Sequence, residues 1–241
     1  MICFLTSSFL KRNDINDDIS LDTDNGFVNK LKEIWPKDAK LLIIASDPDS
    51  IDNPKYGEIY AKGFSDSLKI TSYKFIDHKN MKFNISETNV IILCGGHVPT
   101  QNNFLKELNL KERLKEFKGI LIGLSAGSMN CEEQVYAPEE IESDFADSTY
   151  NRYLEGLGII NKMIIPHYVQ GDENKDFVVC GKSIYKDIYI PDSYKNDLLF
   201  IEDGTYIISD GNSNELYGNA YLLRNGIFHK VCNKNEILKI W

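Results

Sequence analysis

A serine set among small residues is the sharpest chemical pattern in this 241-residue sequence: Gly123-Leu124-Ser125-Ala126-Gly127 reads G-x-S-x-G. In such a pattern a tight strand-to-helix turn pushes the hydroxyl outward, and the small neighbours let adjacent backbone approach. A serine presented this way can act as a nucleophile, with the N–H groups of the following helix start placed to hold developing negative charge. The same residues would also serve a helix that merely packs closely on a sheet. Context favours the nucleophile, because the apolar, β-prone run from Lys118 feeds directly into the turn.

A serine needs a base at neutral pH, normally a histidine held in one tautomer by a carboxylate. Of the four histidines, His78 in a polar loop and His229 near the end read as surface or structural residues. His97 and His167 each follow an apolar run, where active-site groups of sheet proteins collect. His97 comes after the pair Gly95-Gly96, where its backbone N–H could matter more than its ring. His167, in Ile-Ile-Pro-His-Tyr, is the expected base. Glu202 ends the apolar run Leu-Leu-Phe-Ile, an expensive place for a charge without a partner, and is the expected acid. Asp203 beside it belongs to an Asp-Gly pair that alone reads as a turn. The order Ser, His, Glu differs from the Ser, acid, His order of α/β-hydrolases, which Glu140 or Asp144 would restore.

The elements that must position these groups follow from periodicity. Apolar runs at residues 2–7, 40–45, 71–76 and 89–94 read as strands, and the run before Ser125 as another. Helical spacing falls between them, over 26–35, 56–68 and 100–117. Strands that are apolar throughout, alternating with helices, predict a parallel sheet covered on both faces. Ligands bind such sheets beyond the carboxyl ends of the strands, where both the Gly95-Gly96 turn and the Ser125 turn would lie. Lys11 to Asn25 reads as a polar loop. The stretch from Glu132 to Asp147 holds seven acidic residues and no basic one, and reads as a solvated lid or rim. After residue 198, short β-prone runs are broken by Asp-Gly, Gly-Asn and Asn-Gly, which are hairpin signals.

Composition sets limits. A chain 42% hydrophobic and 26% charged is an ordinary folded protein, long enough for one α/β domain spanning 1–241. A net charge of −9 without a basic cluster excludes a phosphate-backbone partner. No run approaches a membrane span, and the start reads as a strand, not as a secretory signal. Five scattered cysteines without a CxxC pair argue for reduced thiols in a cytoplasm and against a zinc site.

Taken together, the elbow Gly-Leu-Ser-Ala-Gly-Ser-Met-Asn, the Gly95-Gly96 turn, Ile-Pro-His-Tyr and Ile-Glu-Asp-Gly resemble the serine peptidase family of dipeptidase E and cyanophycinase, peptidase family S51. The resemblance runs in order and spacing over about residues 40 to 210. It implies a class I glutamine-amidotransferase-like three-layer α/β sandwich with a mostly parallel sheet, followed here by the hairpin-rich C-terminal portion. Ser125 would be the nucleophile, His167 the base and Glu202 the acid, with Gly96 and Ala126 giving N–H groups to the oxyanion. A small peptide substrate such as an Asp-X dipeptide, no metal and no organic cofactor are implied, and a homodimer is compatible with it. An acidic substrate group would call for a cation, for which Arg152 is the candidate, beside His97 as a second substrate contact. His97 departs from the Asn or Asp that family members often carry after the glycine pair. Two rivals stay open: an esterase-type hydrolase, and a non-catalytic binding module on the same fold.

Overall fold

A computed structural model describes residues 1–12, 19–22, 24–175 and 177–240, with residues 11, 12 and 19 described by backbone alone. The apolar runs become the parallel part of an eight-stranded sheet, in the order Ser72–Ile76, Lys40–Ile44, Val90–Leu93, Ile120–Leu124, Ile2–Thr6. These strands are apolar on both sides because the sheet is covered on both sides. Successive side chains alternate: Phe4 packs with Phe9, Phe27, Phe64 and Tyr206, whereas Cys3 and Leu5 point to the opposite cluster with Leu42, Ile91 and Leu121. Helices Phe27–Ile34 and Asn53–Ser67 cover the first face. Helices Val98–Glu107 and Leu110–Leu114 cover the second through Phe104, Leu105, Leu110 and Leu114. Burying each such Phe or Leu stabilises the layers by roughly 1.5–3 kcal/mol.

Two sequence expectations change. The helix expected over 100–117 is two helices, because Asn109 takes a left-handed conformation (φ 50°) that ends the first. The polar loop expected from Lys11 to Asn25 has paired ends: Leu10–Arg12 runs antiparallel to Ile19–Leu21, and residues 13–18 and 23 lie outside the described residues.

The hairpin signals hold and have a topological consequence. Tyr206–Ser209, Asn214–Tyr217 and Ile237–Ile240 continue the main sheet as antiparallel strands, so that the first strand of the chain lies inside the sheet. Met163–Ile165, Leu198–Ile201, Ala220–Arg224 and Ile227–Cys232 form a second, four-stranded sheet. Its last hairpin turns on Asn225 and Gly226, both at positive φ (51° and 77°), as a tight two-residue turn requires.

The acidic stretch is not a uniformly solvated rim. Glu132 is fully buried, and its carboxylate accepts the backbone N–H groups of Ile164 (2.6 Å) and Tyr136 (3.3 Å). Asp144 is also buried, and Gln134–Tyr136 pairs with Tyr153–Glu155. Among the described residues no helix is long and apolar enough to cross a membrane.

Candidate active site

The strand Ile120–Leu124 ends at Ser125, whose φ of 51° and ψ of −112° lie outside the ordinary regions for a residue with a side chain. The flanking glycines explain how the chain tolerates this turn. A Cβ on Gly123 would come within 2.8 Å of the Ser128 backbone, and one on Gly127 within 2.4 Å of the Leu93 carbonyl oxygen. The elbow is tied to the first strand: Ser125 N–H donates to the Thr6 carbonyl (3.0 Å), and Ser128 Oγ accepts from Thr6 N–H (2.7 Å) while donating to its carbonyl (2.8 Å). The helix that follows, Ala126–Met129, is only four residues long.

His167 follows the strand Met163–Ile165, in a left-handed conformation (φ 61°). Its Nε2 lies 2.8 Å from Ser125 Oγ and its Nδ1 2.8 Å from Asp203 Oδ1. The network is satisfied when Nδ1 carries the proton and donates to Asp203, leaving Nε2 to accept the serine hydroxyl. Asp203, not the expected Glu202, is therefore the carboxylate on the histidine. Glu202 turns the other way and accepts from Asn219 Nδ2 (2.7 Å) and Tyr221 Oη (2.8 Å). Neither Glu140 nor Asp144 bonds His167, so the alternative Ser, acid, His order is not assembled. Burial pushes the Asp203 pKa up, but the His167 hydrogen bond, its charge and a hydrogen bond from Ser7 outweigh that and hold it below the usual value.

Sequence reasoning missed Ser7. Its hydroxyl accepts the His167 backbone N–H (2.7 Å) and donates to Asp203 Oδ1 (2.7 Å). The residue sits just past the first strand, with nothing in its type or neighbours to mark it.

Of the expected oxyanion donors, Gly96 borders both cavities at Ser125, and Ala126 is the next residue after Ser125. Gly96 has a φ of 155°, and a Cβ there would fall 2.3 Å from Ser46 Oγ, so only glycine fits. Among the described residues neither the Gly96 nor the Ala126 N–H has an intramolecular acceptor. Two cavities meet at Ser125, Gly96 and His167. One, of about 480 Å³, runs toward Asp47, Asn53, Tyr56, Tyr60 and Phe75. The other, of about 380 Å³, runs toward Val98, Pro138, Glu140, Ile165 and Tyr189. Cys94 borders the first, but burial pushes its thiol up to about 12, which makes it a poor nucleophile.

The sequence model of peptidase family S51 matches residues 52–217, well over half of the chain. The chain belongs to peptidase family S51. Two solved structures are similar in fold. One is a peptidase from an acI-B1 Actinobacterium, 17% identical, with 99% of this chain and 96% of that one covered and a TM-score of 0.64. The other is described as a peptidase E protein from Listeria monocytogenes EGD-e, 17% identical, with 96% and 98% covered and a TM-score of 0.56. Comparison of the sequence with curated proteins finds no match.

Two expected substrate contacts of this S51 chain are already engaged elsewhere. Arg152 binds both oxygens of Glu139 (2.8 Å each) and Asp192 Oδ2 (2.7 Å), and Asp192 also accepts the Tyr136 hydroxyl (2.8 Å). It borders neither cavity. His97 places Nδ1 2.8 Å from Thr100 Oγ1 and Nε2 3.1 Å from Asp144 Oδ2, so its ring fastens the acidic segment to the turn after Gly96. Asp144 Oδ2 in turn accepts the N–H groups of Glu140 (3.0 Å) and Ile141 (3.2 Å).

Proposed function

We propose that this S51 chain is a serine peptidase acting on small peptides, with Ser125 as nucleophile, His167 as general base and Asp203 as orienting acid. The observation that carries the reading is the continuous line from Ser125 Oγ through His167 to Asp203, with 2.8 Å at each link. Membership in a peptidase family supports amide hydrolysis over ester hydrolysis.

In the mechanism, Ser125 Oγ attacks the scissile carbonyl carbon while His167 Nε2 takes the hydroxyl proton. Asp203 stabilises the imidazolium and keeps Nδ1 protonated. The carbonyl oxygen becomes an oxyanion held by the Gly96 and Ala126 N–H groups. As the tetrahedral intermediate collapses, His167 returns the proton to the leaving amine. Water, deprotonated by the same nitrogen, then attacks the acyl-serine and releases the acid and Ser125. These steps call for no metal or organic cofactor. Free thiols throughout, four of the five buried, support a reducing cytoplasmic setting.

The resemblance raised an Asp-X substrate, which would need a cation. Arg152 does not supply one, because its guanidinium is occupied by Glu139 and Asp192. The test is labelling with a fluorophosphonate and peptide mapping. The expected result is modification of Ser125, lost in Ser125→Ala and His167→Ala. Folded protein that takes up no label would favour the binding-module alternative.

A further inference from the structure

The acidic residues between Ser125 and His167 have different fates, and among those without a partner in the described residues one, Glu140, borders the cavity at Ser125. Glu139 is matched by Arg152, Asp144 by His97, and Glu132 by two backbone N–H groups. The carboxylate of Glu140 has no hydrogen bond or ion pair among the described residues. It nonetheless borders the 380 Å³ cavity together with Ser125 and His167. Most of the remaining wall is apolar, formed by Val98, Met129, Pro138, Ile165, Pro166 and Tyr189. The residue is not on a loose loop, since its N–H is bonded to Asp144 and Asp144 is fastened by His97.

We propose that Glu140 is the specificity residue of this cavity and receives a positively charged amino group of the substrate, its free amino terminus or a lysine-type side chain. The proposal rests on the serine peptidase reading. An apolar cleft with one converging charged group is the usual form of a selective small-molecule site. The ammonium would pair with the carboxylate while its aliphatic stem lies on the apolar wall. An acidic substrate group would meet a like charge. Glu140 is exposed to solvent at the rim of the cavity; the partial loss of water around its carboxyl there raises its pKa, His97 and His167 draw it down and Asp144 adds to the rise. A bound cation would stabilise the ionised form.

The test uses matched peptides: free amino termini against N-formyl counterparts, and lysine against norleucine. In the wild type at least one pairing should give a roughly two- to fivefold preference in kcat/KM for the charged member, and that pairing identifies the source of the ammonium. In Glu140→Gln the ratio should fall close to one; being internal to each variant, it is insensitive to a general loss of activity. As a second readout on the wild type, n-butylammonium should slow fluorophosphonate labelling of Ser125 more than n-butanol does. No charge preference, a preference that survives in Glu140→Gln, equal effects of amine and alcohol, or a labelled enzyme that cleaves none of the peptides would overturn the proposal and leave the nucleophile standing. Absence of labelling would sink the peptidase reading and this one with it.

Discussion

The Ser7 hydroxyl donates to Asp203 Oδ1 over 2.7 Å, and Ser7 Oγ itself accepts the backbone N–H of His167 at 2.7 Å. One side chain from the start of the chain thus fixes the position of the acid relative to the base. The expected effect of Ser7→Ala is a fall in the rate of Ser125 labelling of roughly 5- to 160-fold. This corresponds to two hydrogen bonds of about 0.5–1.5 kcal/mol each. Labelling kinetics against wild type check this, and an unchanged rate would remove Ser7 from the machinery.

Asp203 and Glu202 are neighbours with opposite fates, and substituting each in turn separates them. Asp203→Asn presents an amide where the imidazole needs an acceptor for Nδ1–H, and should lower peptide hydrolysis by about 10³–10⁴-fold. Glu202→Gln keeps most of its contacts with Asn219 and Tyr221 and should stay within about tenfold of wild type. The reverse ranking in steady-state kinetics would restore the acid expected from sequence.

His97 fastens the acidic segment through Asp144. In His97→Ala, hydrogen exchange should quicken at the amides of Glu140 and Ile141, which lose the fixed carboxylate that accepts them. Exchange measured by mass spectrometry over residues 139–146 checks this, with the amides of Ile120–Leu124 as the unaffected reference.

The carboxyl of Glu132 is pushed well above its ordinary value, first by burial, with the Ile164 and Tyr136 N–H groups pulling only partly the other way. Its folded-state value therefore exceeds the unfolded one. Its contribution to stability is complete below the unfolded value and is lost as pH rises through the folded one. Urea midpoints should fall over that window in the wild type and lack this component in Glu132→Gln. The variant should be less stable by about 1–3 kcal/mol at the acidic end, since one N–H loses its acceptor. A parallel pH dependence in both proteins would refute the assignment.

Arg152 holds Glu139 and Asp192 together at a quarter of full exposure. Arg152→Ala should cost about 1–3 kcal/mol in thermal or urea unfolding, less than a fully buried pair would. Labelling of Ser125 should survive. Loss of peptide turnover without loss of stability would return Arg152 to substrate recognition.

Much of this was legible in the sequence, for identifiable reasons. Ser125 and His167 stand at the ends of apolar runs, and a parallel sheet gathers strand ends at one edge. The acid was read one residue early because adjacent residues at a strand end face opposite sides, and no pattern says which side holds the histidine. Asp203-Gly204 is indeed a turn, with Thr205 N–H bonded to the Glu202 carbonyl (3.0 Å) and Gly204 at a φ of 87°. That reading hid its second role. Ser7 was illegible because its use depends on strand order: the first strand lies between Ile120–Leu124 and Tyr206–Ser209, a neighbour relation that local sequence does not encode.

That strand order also sets when the Ser125–His167–Asp203 line can be assembled. Ile2–Thr6 is made some two hundred residues before its partner, so one of its edges stays bare until residues 206–209 arrive to pair with it. A growing chain that has reached Ser125 and His167 still lacks Asp203. Closing so long a loop comes late in folding, so the line from Ser125 through His167 is completed only when Asp203 is in place. A chain that stops short of Asp203 would carry the elbow and His167 without the carboxylate that holds the ring.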